Sequence, residues 1–244
     1  MSEATQPSFP KALDQADPLR GFPSEFVVAD KEVCYLDGNS LGRIPKATLE
    51  SLRHFLADEW AAELVDGWSD WIDEAERAGD QLAEVVLGSG PGQTLVCDST
   101  SVNLYQLLRA VVDSRPDKSI ILVDSANFPT DRYIAHGVAR ETGRQIVTLD
   151  VDGSGGPGAV EVDAEFERLT PELLEPHLTD EVAVLTMQAV NYRSGARPYI
   201  DAINELARSR GIPVVWDCSH AVGSISLDFD KSGVDLAVGC TYKY

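Results

Sequence analysis

Residues 119–150 read SIILVDSANFPTDRYIAHGVARETGRQIVTLD, and the reading of this stretch decides the fold. Two short apolar runs, 119–124 and 145–150, have the length and β-branched content of buried strands, and the segment between them, 131–142, has a helical pattern. The same rhythm extends in both directions. Runs at 94–98 (TLVCD), 182–187 (VAVLTM), 213–217 (PVVWD) and 235–240 (DLAVGC) read as further strands, and 102–113 and 199–210 as further helices. Continuously apolar strands alternating with helices predict an α/β fold, with a mainly parallel sheet covered by helices on both faces. No internal repeat interrupts this pattern.

Upstream of the alternation the character differs. The first twenty or so residues are polar and Pro-rich, with a short helical pattern around 11–16, and form an entry arm. From Pro45, which suits a first-turn position, Leu49, Leu52, Leu56 and Trp60 fall on one helical face. A second amphipathic stretch, 72–87, carries Ile72, Ala75, Leu82 and Val86 and ends at the breaker cluster 88–92 (GSGPG). The Gly-rich segment 152–158 reads as a surface turn rather than a phosphate cradle, because no helical pattern follows it closely.

The bulk properties exclude several function classes. A chain of 244 residues that is 43% hydrophobic can bury a large core. Forty acidic against twenty basic residues give a net charge of −20, which repels nucleic acid and anionic lipid. Cys34, Cys97, Cys218 and Cys240 lack the close pairing of structural zinc sites or redox dithiols, so they read as reduced, and no metal site is expected. With neither a signal segment nor a membrane-length apolar run in the sequence, a soluble cytoplasmic protein is expected.

Ligands of open α/β sheets gather beyond the carboxyl ends of the strands, and there the sequence places an unusual set. After 94–98 comes Ser99-Thr100-Ser101, opening a helix whose free N–H groups suit an anion, and which equally suits an ordinary N-cap. After 119–124 come Phe128, Pro129, Thr130 and Asp131. Asp217 closes a strand, with His220 three residues later. Lys243 follows the last strand, where a charged amine is costly unless paired, shifted in pKa or used covalently. An anion site, a ring cover, a carboxylate and an amine together fit pyridoxal 5′-phosphate, with Asp217 on the protonated pyridine nitrogen.

These residues sit in six segments: 35–47 (YLDGNSLGRIPKA), 98–108 (DSTSVNLYQLL), 127–134 (NFPTDRYI), 190–195 (VNYRSG), 216–224 (WDCSHAVGS) and 238–244 (VGCTYKY). In this order and spacing they resemble the kynureninases, pyridoxal-phosphate enzymes of the type I aminotransferase fold. The resemblance implies that Thr100 and Ser101 contact the phosphate, and that Phe128, Pro129, Thr130 and Asp131 cover the ring. It implies further that Asp217 and His220 contact the cofactor, that Tyr242 serves the phosphate and the catalytic centre, and that Lys243 bears the cofactor. Gln188 is carried over as a further cofactor contact. Asn39 and Ser40 line the substrate entrance or simply form a turn.

The implied reaction is hydrolysis of L-kynurenine or 3-hydroxykynurenine to an anthranilate and L-alanine, in tryptophan catabolism and NAD precursor synthesis, with Lys243 and Tyr242 catalytic. The resemblance implies a homodimer. It also implies an arm over 1–44, a partial large domain over 45–244 and a missing C-terminal small domain, with the chain ending soon after its cofactor lysine and apolar edges left uncovered. A cysteine desulfurase or aminotransferase of the same fold, or an inactive cofactor-binding remnant, are the alternatives.

Overall fold

A computed structural model describes residues 8–30 and 32–244. The chain divides into two compact units, one up to Ile72 and one from Asp73. In the first, helix α1 spans Ser8–Ala16 and α2 spans Lys46–His54, the latter running on as a π-helical turn, Phe55–Trp60. Pro45 does not occupy the first turn as expected. It is the N-cap, extended at φ −63° and ψ 144°, because its backbone forms an antiparallel bridge to Phe26 that a helical ψ would break. The expected apolar stripe leaves Leu52, Leu56 and Trp60 exposed.

The second unit carries the α/β alternation. Its longer helices are α3 (Glu74–Leu82), α4 (Thr100–Asp113), α5 (Pro129–Thr142) and α6 (Ile200–Ser209). The strands are β1 (Ile120–Asp124), β2 (Gln145–Asp150), β3 (Val160–Glu161), β4 (Val182–Gln188), β5 (Val214–Asp217) and β6 (Leu236–Val238). They form one sheet in the order β3-β2-β1-β4-β5-β6, parallel at every pairing. The order reverses direction between β1 and β4, which makes their carboxyl ends the topological switch point.

Strand alternation feeds two cores. Leu122 of β1 joins Leu185, Trp216 and Ile203 on one face, while Ile121 and Val123 join Leu104, Leu108 and Val138 on the other. Helix α6 shows why its sequence is helical: Ile200, Ile203, Asn204 and Ala207 recur at helical spacing and are all buried. Trp216 is fully buried, and its indole N–H donates to Asn204 Oδ1 at 2.9 Å. Replacing Trp216 by alanine is expected to cost about 3–5 kcal/mol, read as a fall in the urea midpoint, with Trp216→Phe costing clearly less.

Residues 94–98 do not form the expected strand. Val96 N–H donates to Ala75 O of α3 at 3.2 Å, and a Cβ on Gly79 would lie 2.0 Å from Thr94 O, so this segment packs its backbone on a helix. Its Leu95 remains more than half exposed. At the other end of the unit, β6 is shorter than the apolar run 235–240. The chain turns away at Gly239, whose carbonyl accepts from Thr100 Oγ1 at 2.8 Å. The turn at 152–158 is anchored rather than free, since Asp152 accepts from Ser125, Ser154 and Arg193.

Candidate active site

Each strand end delivers one part of the site. Beyond β1, Asn127 Oδ1 accepts from Phe128 N–H at 2.8 Å, and Pro129 at the first helical position starts α5. This turn carries Phe128, Pro129, Thr130 and Asp131 to the rim, with Asp131 buried and Phe128 half-buried. Beyond β5, Asp217 Oδ1 accepts from both the N–H and the hydroxyl of Ser219, at 2.9 and 2.6 Å. Those two bonds fix the carboxylate and bring His220 into position one residue later. Beyond β6 lie Tyr242 and Lys243, whose ammonium stands 5.4 Å from the Tyr242 ring centre.

The start of α4 reaches the same rim through the Thr100–Gly239 bond. Ser99 caps the helix, accepting from Val102 N–H at 3.4 Å. By helical geometry the N–H groups of Thr100 and Ser101 have no partner within the helix, and they present the positive end of a four-turn dipole. The ordinary cap is therefore present here, and it leaves the N–H groups of Thr100 and Ser101 free of helical partners.

Three rings converge between these strand ends. Phe128 meets Tyr192 edge-on, with centroids 5.0 Å apart, and lies 6.5 Å from His220; Tyr192 lies 6.4 Å from His220. Tyr192 sits in the segment 190–195, but no role was read for it from sequence. The available signal is an aromatic in the turn that follows a predicted strand, as for Phe128.

The electrostatics tie the parts together. Burial first, and then the positive charge of Lys243, lowers the pKa of His220, while Asp217 opposes both. A cation and a carboxylate from different strand ends thus act on one imidazole. Burial, and next the neighbouring Asp217, pushes Asp131 up to about 8. Asp131 Oδ2 is buried with no donor, and the group beside it is another carboxylate, so the pair holds a proton near neutrality. Tyr242 is held protonated above its ordinary value by burial and by Cys240, with Asp217 adding to the effect.

Gln188 makes a different contact in this unit. Gln188 ends β4 beside Asp217 in register, but its Nε2 donates to Ala126 O at 2.9 Å and its side chain lines a small cavity with Asp124 and Glu167. A much larger groove of about 590 Å³ takes in Thr100, Ser101 and Tyr242 but not Phe128, Asp217 or Lys243. The chemistry rather than the volume marks the site. Asn39 and Ser40 belong to the first unit, exposed in a turn where Ser40 N–H donates to Asp37 O at 3.0 Å. Among the described residues no cluster of three or more His, Cys, Asp or Glu side chains suits a metal ion, and no helix is long and apolar enough to cross a membrane.

Comparison with known proteins bears on this arrangement. Residues 34–244 match the family Aminotransferase class-V. The chain is 36% identical over 240 residues to the kynureninase of Deinococcus radiodurans, covering 96% of this chain and 53% of that protein. It is 35% identical to the kynureninase of Pseudomonas fluorescens, with the same coverage. The chain therefore spans about half the length of the curated relatives it matches. Among solved structures, SspA in complex with cysteine superposes with a TM-score of 0.70 at 15% identity, over 86% of this chain and 57% of that one. The cysteine desulfurase CsdA of Escherichia coli does so with a TM-score of 0.65 at 17% identity, over 92% and 54%. These two likenesses bear on the fold alone.

Proposed function

Because the chain belongs to the aminotransferase class-V family, whose members depend on pyridoxal 5′-phosphate, we propose that its rim residues bind that cofactor and serve hydrolysis of L-kynurenine or 3-hydroxykynurenine to an anthranilate and L-alanine. The observation that carries this reading is the packing of His220 against Phe128 and Tyr192, with centroids 6.5 and 6.4 Å away, next to the Ser219 that fixes the Asp217 carboxylate. The donor set also fits the cofactor. A fixed carboxylate flanked by an orphaned Asp131 oxygen suits a protonated ring nitrogen, and a helix start offers free N–H groups to a phosphate.

In this reading Thr100 and Ser101 hold the phosphate, Phe128 and His220 contact the ring, and Pro129, Thr130 and Asp131 shape its edge. When bound, the cofactor supplies an electron sink for the substrate's α-carbon. Asp217, fixed by Ser219, keeps a negative charge at the ring nitrogen's place. Lys243 anchors the cofactor and takes the proton from the substrate α-carbon. Tyr242 holds a proton for the γ-carbonyl, where water adds before the β–γ bond breaks. The family resemblance alone assigns Asn39 and Ser40 to the substrate entrance. Gln188 ends β4 beside Asp217 in register; its Nε2 donates to Ala126 O, and its free Oε1 is the end of the amide offered to the cofactor. The working enzyme is a cytoplasmic homodimer acting in tryptophan breakdown and NAD precursor supply.

The activity of the whole protein is part of this proposal. Its test is product analysis with pyridoxal phosphate present and L-kynurenine or L-cysteine as substrate. Anthranilate and alanine in equal amounts from L-kynurenine are expected. Alanine and sulfur release from L-cysteine instead would favour a desulfurase, and no product from either, with cofactor bound, would favour an inactive remnant.

A further inference from the structure

In the sheet β4 lies between β1 and β5, and each of these strands is followed by one of the three clustered rings: Phe128 after β1, Tyr192 after β4 and His220 after β5. Tyr192 is the middle member. Neighbouring strands stand about 4.8 Å apart, so the ends of β1 and β5 are separated by about 10 Å. Phe128 and His220 nevertheless approach to 6.5 Å between centroids, and both lie against Tyr192, at 5.0 and 6.4 Å.

Tyr192 is itself held from behind. Asn191 Oδ1 accepts from the N–H groups of Arg193 and Ser194, at 2.8 and 3.1 Å. Gly195 N–H donates to Asn191 O at 3.0 Å, and Asn191 N–H donates to Ala196 O at 2.9 Å. The backbone around Tyr192 is therefore closed into a tight turn before its side chain packs. Arg193 places its guanidinium 5.6 Å from the centre of the Tyr192 ring, within the range of a cation–π contact, and the same guanidinium is tied to the carboxylates of Asp152 and Glu167. Asp152 is the firm end of this chain of contacts. Its side chain is 5% exposed; burial alone would raise its pKa, but hydrogen bonds from Ser125, Ser154 and Arg193 hold it well below the ordinary carboxylate range.

We propose that Tyr192 is a positioning residue of the cofactor site, a wedge between strand ends that fixes the ring of Phe128 and is backed by Arg193. The proposal rests on the assignment of the rim to pyridoxal phosphate and deepens it, because the residue it names supports the ring cover. A half-buried phenylalanine turns about two side-chain bonds, and stacking on a flat ligand must overcome the loss of that freedom. An edge-to-face partner orders the ring beforehand. The work is done by the aromatic ring of Tyr192, so phenylalanine serves in its place and an aliphatic side chain does not.

The test has one reading without cofactor and two with it. 4-Fluorophenylalanine at position 128 gives a fluorine resonance that reports the surroundings of that ring in the cofactor-free chain. Titration with pyridoxal phosphate gives the affinity, and visible circular dichroism reports how rigidly the bound cofactor is held. Tyr192→Ala is expected to move the fluorine resonance, weaken cofactor binding about 2- to 10-fold, the range of an aromatic pair, and diminish the dichroism. Tyr192→Leu, which keeps apolar bulk without the ring, is expected to do the same and carries the test if the alanine variant does not fold. Tyr192→Phe is expected to restore all three readings. Binding and dichroism in Tyr192→Leu equal to the unaltered chain, an unmoved fluorine resonance, or a Tyr192→Phe variant as weak as Tyr192→Leu would overturn the positioning role alone. Failure of the unaltered chain to bind the cofactor would overturn the cofactor assignment and this role with it.

Discussion

Replacing Asp217 by alanine is expected to lower the rate of the proposed L-kynurenine cleavage about 10²–10³-fold, the usual loss when one preorganised electrostatic partner of a reacting system is removed. The carboxylate is not a loose surface group. It is 3% exposed and held by two donors from Ser219, so its charge is fixed in place before any ligand arrives. Its removal would leave Asp131, which burial and Asp217 together push up to about 8, as the remaining carboxyl beside the proposed cofactor site. With Asp217 gone, Asp131 gains freedom to ionise and can substitute in part, which is why the loss is not larger. Steady-state rates for Asp217→Ala and for the double change with Asp131→Asn check this. The double variant should lose more than the single one, and an Asp217→Ala enzyme within a few-fold of wild type would contradict the assignment.

The second large effect belongs to the cofactor-free protein and needs no substrate. Asp124 and Asp131 have folded-state values pushed up to about 7 and about 8 from an ordinary value of 3.8. Between those limits the folded chain binds more protons than the unfolded one, so stability falls as pH rises and levels off above about 8. His220 acts in the opposite sense, because its folded value lies below 6.5 and its cost is felt only at lower pH. The clean window is therefore pH 6.5 to 8. Each tenfold change in proton affinity is worth about 1.4 kcal/mol, so across the whole range the two carboxyls amount to several kcal/mol. Urea unfolding at closely spaced pH values should show stability decreasing through this window, and Asp131→Asn should flatten the decrease. A rise with pH, or a slope that Asp131→Asn leaves alone, would contradict the buried carboxyl pair.

Most of the sheet was readable from sequence because burial on both faces writes unbroken apolar runs. The residues of β2 emerge with the expected bounds, and β1, β4 and β5 within a residue. The segment 94–98 failed for a reason the local pattern does not contain. Its apolar residues look like a strand, but Gly79 lets α3 approach so closely that the backbone bonds to a helix carbonyl instead. The two-residue β3 was too short to leave a pattern. For the site, Phe128, Asp217, His220 and Lys243 stand after strand ends in the sequence, and the structure sets Phe128 6.5 Å from His220, next to the Ser219 that holds Asp217. What sequence could not give was pairing across the sheet. Asp131 looked like part of a ring-covering turn, and only the neighbouring positions of β1, β4 and β5 reveal that its carboxyl sits beside Asp217. The commitment of Gln188 to Ala126, and the part of Tyr192 among the rings, depend in the same way on contacts between segments distant in the chain.

The central claim is that the sheet's rim anchors pyridoxal phosphate through Lys243. Borohydride reduction of the protein mixed with the cofactor, followed by peptide mass mapping, reads that bond directly. The account predicts one pyridoxyl group, on Lys243, with none in Lys243→Ala. A label on any other lysine, or equal labelling of the variant, would contradict it.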